Sequence, residues 1–176
     1  MNSPLPLELL IYDLNGTLID SGEDIARAAN YAFSKVGLPP VSPLTVYATM
    51  GLGVSRLVAS LLPPGHQDRY HELVQYFLEH YRVHLLDNTK VKDGAREVLE
   101  HFRQKNKKQA LVANKSKAFT DQILEGLELK KYFGLVLGGD GRPHKKPDPS
   151  PLLHVMEELG CQDKQRAAKP LPVPTP

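Results

Sequence analysis

Residues 9–18 read Leu-Leu-Ile-Tyr-Asp-Leu-Asn-Gly-Thr-Leu, and this stretch decides the fold. The first four residues form a short apolar run, which is typical of a strand covered on both faces. Asp13 follows that run directly, and Asn15 and Gly16 then turn the chain. Because ligands of open α/β sheets bind beyond the carboxyl ends of the strands, Asp13 is predicted at the functional edge of a sheet.

The turn at Asn15 and Gly16 has a second interpretation. Asn-Gly between two apolar runs is also the signal of a β-hairpin. Residues 21–24, Ser-Gly-Glu-Asp, resemble a capping box, with Ser21 as N-cap and Asp24 reaching back. A helix that begins there leaves little room for a second strand, which favours strand, turn and helix over a hairpin.

The rest of the chain divides into a helical part and an alternating part. Between residues 20 and about 85, apolar residues recur at helical spacing over 25–36, 54–61 and 70–81, and no strand is predicted. From residue 93 onwards, strands predicted at 110–113 and 133–137 alternate with helices that begin near Asp93, Ser116 and Ser150. This alternation predicts a parallel α/β sheet with right-handed crossovers, interrupted after its first strand by a small helical lobe.

Composition narrows the class of protein. The chain has 176 residues, enough for one core with a small insertion, and its formal net charge of +2 is too small to indicate a nucleic-acid partner. The single cysteine, Cys161, excludes an internal disulfide framework and fits a reducing compartment. Glu8 and Asp13 interrupt the apolar N-terminal stretch, so neither a signal peptide nor a membrane span is expected, and the cytoplasm is the expected location.

Residues 12–21, Tyr-Asp-Leu-Asn-Gly-Thr-Leu-Ile-Asp-Ser, resemble motif I of the haloacid dehalogenase (HAD) phosphatases, F-D-L-D-G-T-L-x-D-S. The resemblance is strongest to the phosphoglycolate phosphatase-like branch and extends to about Gly160. It implies an α/β fold in which a Rossmann-like parallel-sheet core carries an α-helical cap inserted directly after motif I. The expected ranges are 1–19 and 86–166 for the core, 20–85 for the cap and 167–176 for a proline-rich disordered tail.

The resemblance assigns two roles to motif I. Asp13 matches the family's nucleophile, which forms an aspartyl-phosphate and is also a ligand of the catalytic Mg²⁺. Asn15 occupies the place of the second aspartate, whose backbone carbonyl binds Mg²⁺ and whose side chain is the general acid/base. The carbonyl survives any substitution, but an amide cannot protonate a leaving alkoxide. Losing such a group typically lowers the rate by about 10²–10⁴.

Residues 111–116, Leu-Val-Ala-Asn-Lys-Ser, resemble the family's strand that ends in T-N-K-P. The threonine hydroxyl of that motif bonds the transferring phosphoryl group, and Ala113 has no hydroxyl. The resemblance nevertheless places Ala113 and Asn114 in the substrate-binding loop, where main-chain N–H groups can face phosphate oxygens. Taken alone, the same stretch is also typical of an ordinary loop between a strand and a helix capped by Ser116.

Lys146 lies in residues 145–149, Lys-Lys-Pro-Asp-Pro, which resemble the K-P-x-P of motif III. The resemblance makes Lys146 the lysine that holds the nucleophile and the phosphoryl charges together. Phosphoryl transfer is catalysed chiefly by positioning and positive charge, so a lysine suits that place. Taken alone, the stretch could equally be a solvated basic loop.

Residues 50–56, Met-Gly-Leu-Gly-Val-Ser-Arg, lie where the family has its substrate-specificity loop. The two glycines would allow close approach of a ligand, and Arg56 is expected to meet a substrate carboxylate or phosphate. A helix-connecting loop with a surface arginine is an equally good interpretation.

The family's fourth motif has no match. It is a strand ending in G-D-S with a second aspartate nearby, which together complete the Mg²⁺ site. Here residues 161–166 lead into the 167–176 tail, which is predicted to form neither strand nor helix. Asp163 is not expected to be a ligand. The core is therefore expected to be incomplete at its C-terminus, as in a truncated or frameshifted product. The strand at 9–12 would then be an open apolar edge that invites self-association.

Two functional hypotheses follow. The first is an Mg²⁺-dependent hydrolase of a small phosphomonoester, acting through Asp13 and Lys146 and weakened by Asn15, Ala113 and the missing motif IV. The second is a catalytically silent homologue that binds a phosphorylated ligand or a protein partner, which the same departures favour. Neither hypothesis involves nucleic acid or a membrane.

Overall fold

The computed structural model describes residues 7–140 and 144–168. The chain forms two compact units, one from residues 1–19 and 91–176 and the other from residues 20–90. The sequence placed the second boundary at 85/86. Residues 86–90 lie in the helical unit because Asn88 and Thr89 are hydrogen-bonded to Asp24 of that unit.

The first unit is a parallel sheet with helices, which confirms the predicted α/β class. Its four-stranded sheet has the order β5-β4-β1-β6, and every pair of neighbours is parallel. The sheet strands are β1 (Leu9–Tyr12), β4 (Lys108–Val112), β5 (Leu135–Leu137) and β6 (Ala167–Ala168), while β2 (Ile19–Asp20) and β3 (Lys90–Val91) form a separate two-stranded sheet. Since β2 pairs with β3 and not with β1, the hairpin interpretation of the Asn15–Gly16 turn is wrong.

Three helices connect the later strands of the sheet: α5 (Ala95–Gln104), α6 (Lys117–Gly126) and α7 (Ser150–Glu158). All four residues of β1 are buried, as a strand covered on both faces requires. On one face, Leu9 and Ile11 pack in an apolar cluster with Val112 and with Val155 of α7. This packing fixes the end of β1, from which Asp13 projects.

The second unit is helical: α1 (Gly22–Lys35), α2 (Pro43–Ala48), α3 (Val54–Leu61) and α4 (Tyr70–His84). The main packing is between α1 and α4. The short helix α2 was not predicted, because six residues are too few for a periodic signal. Its start nevertheless has a local cause: Ser42 Oγ accepts a hydrogen bond from Thr45 N–H at 3.2 Å, and Pro43 occupies the first helical position.

The predicted capping box at residues 21–24 is wrong in its contacts. The Ser21 side chain makes no capping hydrogen bond. Asp24 is 1% exposed, and its carboxylate accepts hydrogen bonds from the main-chain N–H groups of Asn88 and Thr89 at 3.0 and 2.8 Å and from both of their side chains at 2.8 Å. Burial by itself would raise the pKa of Asp24, but these hydrogen bonds outweigh it and hold the pKa below its ordinary value.

The prediction that no strand forms from residue 167 onwards is also wrong. Ala167 and Ala168 lie beside Leu9 and Leu10 as the parallel strand β6. Arg166 anchors this strand, since its carbonyl accepts from Glu8 N–H at 2.9 Å and its guanidinium lies 2.5 Å from the Glu8 carboxylate. The two alanines precede the first proline of the tail, so both keep the N–H group that a strand uses.

β6 covers part of the edge of β1 that was predicted to be open. The predicted disorder of residues 169–176 lies outside the described residues. Within the described part of the chain, none of the helices is long and apolar enough to cross a membrane.

Candidate active site

The centre of the candidate site is an ion pair between Asp13 and Lys146. Asp13 follows β1 directly, and Lys146 Nζ donates to Asp13 Oδ1 at 2.5 Å and to the Val112 carbonyl at 2.6 Å. The side chains of Lys146 and Asp13 are 13% and 28% exposed, so the pair is largely shielded from water while the carboxylate remains accessible. Because β1 and β4 are neighbours, Val112 at the end of β4 lies beside Asp13. The structure thus brings together the predicted nucleophile and the predicted lysine.

Main-chain hydrogen bonds hold the turn after Asp13. Leu14 N–H donates to Asp13 Oδ1 at 2.8 Å, and the Leu14 carbonyl accepts from the N–H groups of residues 17–19 at 3.3, 3.0 and 3.2 Å. Gly16 has a φ of +74°, which favours glycine because it carries no Cβ. Asn15, half-buried between Leu14 and Gly16, is therefore presented on a tight turn directly beyond the carboxylate.

The loop after β4 positions Lys146. Ala113 is buried, and its N–H extends the pairing with β5 by donating to the Leu137 carbonyl at 2.9 Å. Asn114 Nδ2 donates to the main-chain carbonyl of Lys146 at 3.0 Å. Asn114 therefore holds the segment that carries the lysine, a contact that the sequence did not predict. The substrate-binding roles of Ala113 and Asn114 remain predictions.

Gly138 and Gly139 let the loop after β5 pack against the loop after β4. A Cβ atom at Gly138 would overlap the main-chain nitrogen of Lys117, and a Cβ atom at Gly139 would overlap the carbonyl of Asn114. Gly139 N–H donates to the Lys115 carbonyl at 2.7 Å, and Asp140 Oδ1 accepts from Lys117 N–H at 2.6 Å. The loops after β4 and β5 are consequently fixed to each other at the edge of the sheet that carries Asp13.

Arg56 and Asp163 lie on other elements of the chain. Arg56 lies in the first turn of α3, in the helical unit, and is exposed. Its contact with a substrate remains a prediction. The Asp163 carboxylate accepts from Gln165 N–H at 2.9 Å and so caps the short 3-10 helix Lys164–Arg166 that leads into β6.

A basic residue that sequence reasoning missed lies against the motif I turn. Lys92 Nζ donates to the Gly16 carbonyl at 3.3 Å, and Lys92 N–H donates to the Leu18 carbonyl at 2.9 Å. Lys92 directly follows β3, 76 positions from Gly16 along the chain. Nothing in its local sequence, a lysine before Asp93 and Gly94, could have indicated this contact.

The oxygen donors at the site are too few to complete a Mg²⁺ site. In residues 7–140 and 144–168, no group of three His, Cys, Asp or Glu side chains could hold a metal ion. Asp13 Oδ1 already accepts two hydrogen bonds, from Leu14 N–H and from Lys146 Nζ. Mg²⁺ demands near-octahedral oxygen ligands, of which usually one or two are carboxylates. The Asp13 carboxylate and the Asn15 carbonyl do not by themselves build such a site.

Comparison with known proteins places the chain in one family. Residues 10–167 match the family model of the haloacid dehalogenase-like hydrolases. The chain is 36% identical over 163 residues to the phosphoglycolate phosphatase of Thiobacillus denitrificans, and the alignment covers 89% of this chain and 71% of that protein. It is 35% identical over 166 residues to the phosphoglycolate phosphatase of Chromobacterium violaceum, with 92% and 75% covered.

Solved structures of similar proteins superpose on this chain. A predicted phosphoglycolate phosphatase from Haemophilus somnus superposes with a TM-score of 0.83 at 26% identity, covering 90% of this chain and 74% of that one. A haloacid dehalogenase-like family protein from Streptococcus pneumoniae superposes with a TM-score of 0.78 at 22% identity, covering 92% and 73%. The second likeness bears on the fold alone.

Proposed function

The chain belongs to the haloacid dehalogenase-like hydrolases, and from this premise we propose that it hydrolyses a small phosphomonoester of the phosphoglycolate kind. The ion pair between Asp13 and Lys146 is the observation that carries the proposal. It brings a carboxylate and a fixed positive charge together at the carboxyl end of β1, where ligands of open α/β sheets bind. The curated relatives named above are phosphoglycolate phosphatases, which supports the substrate class.

The proposed reaction has two steps. In the first, an oxygen of Asp13 attacks phosphorus and the bond to the leaving oxygen breaks, so an aspartyl-phosphate and an alkoxide form. In the second, water attacks the same phosphorus and releases inorganic phosphate, which restores the carboxylate. Lys146, held by the Val112 carbonyl and by Asn114 through its main chain, would stabilise the charge on the phosphoryl oxygens.

Asn15 limits the first step. Its amide cannot give a proton to the leaving alkoxide, so that proton must come from water or from the substrate. Removing a general acid typically lowers the rate by about 10²–10⁴. Ala113 presents a methyl group where the family motif has a hydroxyl, which removes one further hydrogen bond to the transferring group. The proposed activity is therefore weak.

Mg²⁺ is the cofactor that the family resemblance implies. Its ligands here would be the Asp13 carboxylate and the Asn15 main-chain carbonyl. Because the described residues do not complete the set, the steps above are assigned only to the chain's own groups and water.

A second candidate function is the binding of a phosphorylated ligand without turnover. Asn15 and Ala113 favour it, since both remove groups that act on the reacting atoms and neither disturbs the ion pair between Asp13 and Lys146. The two functions share the ligand and differ in whether the phosphorus–oxygen bond breaks.

The deciding experiment is a phosphatase assay, in Mg²⁺-containing buffer, of the chain and of Asn15→Asp. The substrates are phosphoglycolate and a generic aryl phosphate, and Asp13→Ala is the control. Turnover that rises in Asn15→Asp and disappears with Asp13→Ala supports the enzyme. No turnover in either folded form contradicts it and leaves the binding function.

Two further predictions concern the cellular location and the self-association of the protein. The cytoplasmic location remains a prediction. Self-association through the sheet edge beside β1 also remains one, although β6 covers Leu9 and Leu10 on that side. Sedimentation over a range of concentrations tests it, and a monomer throughout contradicts it.

A further inference from the structure

We propose that the side chain of Asn114 is a positioning residue for the reaction, because it holds Lys146 where the ammonium group meets Asp13. The family motif places Asn114 in the substrate-binding loop, so a role that acts through the lysine is a different assignment for this side chain. The inference rests on the proposed function, since it concerns how the lysine of that site is kept in place.

The first argument is that the end of β4 holds Lys146 at two points. Lys146 Nζ donates to the Val112 carbonyl at 2.6 Å, and the main-chain carbonyl of Lys146 accepts from Asn114 Nδ2 at 3.0 Å. Val112 and Asn114 are two positions apart, so the main chain and the ammonium group of the lysine are attached to the same short stretch. A lysine side chain is long and flexible, and fixing its main chain narrows the positions that Nζ can reach. The hydrogen bond from Nζ to Asp13 Oδ1 at 2.5 Å depends on that restriction.

The second argument is that the chain around Asn114 is itself fixed. On its N-terminal side, Ala113 N–H donates to the Leu137 carbonyl at 2.9 Å, and on its C-terminal side the Lys115 carbonyl accepts from Gly139 N–H at 2.7 Å. A Cβ atom at Gly139 would lie 2.2 Å from the Asn114 carbonyl oxygen, so the loop after β5 touches the main chain of Asn114 directly. The Asn114 amide is therefore presented from a rigid base, as a residue that positions another one requires.

The third argument is the chemistry of the bond between Asn114 and Lys146. A carbonyl oxygen can only accept, so the side chain at position 114 must supply a donor, which the asparagine amide does. Alanine supplies no donor, whereas glutamine keeps the amide on a side chain that is one methylene longer. Both substitutions keep the main-chain N–H of Asn114, which the family resemblance directs toward phosphate oxygens. They therefore test the side chain separately from the main chain.

The first test measures the pair of Asp13 and Lys146 and requires no turnover. Asp13→Asn, Lys146→Met and the double variant form a double-mutant cycle, which urea unfolding measures once in the parent chain and once with Asn114→Ala. We expect the coupling free energy of the pair to fall by at least about half with Asn114→Ala, because the lysine loses the contact that fixes its main chain. A residue that only stabilises its own loop would lower the stability of all four proteins equally and leave the coupling unchanged. Gln122→Ala, at an exposed amide on α6, is the matched control.

The second test separates a role through Lys146 from a contact between the Asn114 side chain and the substrate. In the Asn15→Asp background, Asn114→Ala is expected to lower kcat by about tenfold and to change KM by less than about twofold, because a displaced charge is lost mainly from the transition state. Asn114→Gln should recover part of kcat, and Gln122→Ala should match the background. A substrate contact would instead raise KM and leave kcat unchanged.

Circular dichroism confirms that each variant is folded, and Asn114→Leu, which keeps the bulk and lacks the donor, replaces Asn114→Ala if the latter is not. The inference is overturned if the coupling with Asn114→Ala equals that of the parent chain or of the Gln122→Ala control. In an active background it is also overturned if kcat is unchanged. If no form turns over substrate, the proposed function fails and the double-mutant cycle still decides the inference. Turnover together with an unchanged coupling contradicts the inference alone.

Discussion

Lys146 Nζ lies 2.5 Å from Oδ1 of Asp13, although the two residues are 133 positions apart in the chain. The contact depends on the parallel pairing of β1 with β4, because the Val112 carbonyl at the end of β4 holds the same ammonium group. The loop of Lys146 is held in turn by Asn114. One side-chain contact thus depends on the sheet and on the loops at its edge.

The first prediction concerns this contact in the Asn15→Asp background, where turnover is expected to be measurable. Lys146→Ala should lower kcat by about 10²–10³, the usual loss when one preorganised charge or donor is removed from a transition state. Lys146→Arg should recover part of it, and Lys145→Ala should have no effect. Steady-state kinetics measure all three, and an unchanged kcat in Lys146→Ala would show that the lysine has only a structural role.

The second prediction concerns Asp24. Asp24→Asn should lower the free energy of unfolding by about 1–3 kcal/mol, because an amide replaces one acceptor oxygen with a donor opposite the N–H groups of Asn88 and Thr89. Urea unfolding followed by circular dichroism measures the change. Glu23→Gln, at an exposed neighbour, is the matched control. A loss equal to that of the control would contradict the prediction.

The same carboxylate gives a third prediction, for pH. The pKa of Asp24 is lower in the folded than in the unfolded protein, so its contribution to stability is complete above the unfolded value of about 3.9. That contribution is lost as the pH falls through the folded pKa. The free energy of unfolding, measured between pH 5 and pH 2, should therefore fall more steeply for the parent chain than for Asp24→Asn. Parallel curves would refute it.

The fourth prediction concerns His80, which stacks on His84 with ring centroids 4.3 Å apart. Burial lowers the pKa of His80, and the neighbouring His84 lowers it further. Since the unfolded chain then binds the proton more readily, the protein should lose stability as the pH falls below about 6.5. Thermal melts at pH 7.5 and pH 5 should differ less for His80→Gln than for the parent chain. The exposed His71→Gln serves as the control and should behave like the parent.

The fifth prediction concerns the anchor of β6, the ion pair between Arg166 and Glu8. Both side chains are about one-third exposed, at 32% and 39%, so water screens the pair. Arg166→Ala and Glu8→Ala should each lower stability modestly, and a double-mutant cycle should give a coupling of about 0.2–1 kcal/mol. Chemical unfolding of the four proteins measures it. A coupling near zero would contradict the prediction.

Sequence reasoning predicted those parts of the fold that have a periodic or local signal. The apolar run at β1 and the alternation after residue 93 are such signals, and they gave the parallel α/β class. The edges of the elements were less well determined: the strand expected at 110–113 is Lys108–Val112, and that expected at 133–137 is Leu135–Leu137 behind a 3-10 turn.

The remaining differences come from contacts between distant residues. Asp24 was predicted to cap its own helix because the pattern of residues 21–24 is local, whereas its actual partners lie 64 and 65 positions away. Lys92 was missed for the same reason. The pairing of Asp13 with Lys146 was expected only because motifs I and III resemble those of a known family. Neither spacing nor composition indicates that contact.

The place of β1 between β4 and β6 has a consequence for biosynthesis. Leu9 lies opposite both Lys108 and Ala167, so the strand that precedes Asp13 gains its second neighbour only after nearly all of the described chain has left the ribosome. Pairings between such distant segments form late, because a long loop must lose conformational entropy before the contact can stabilise the chain. During synthesis, one flank of this apolar strand is therefore exposed, and we expect a nascent chain that stops before residue 167 to depend on chaperones more than a chain that includes β6.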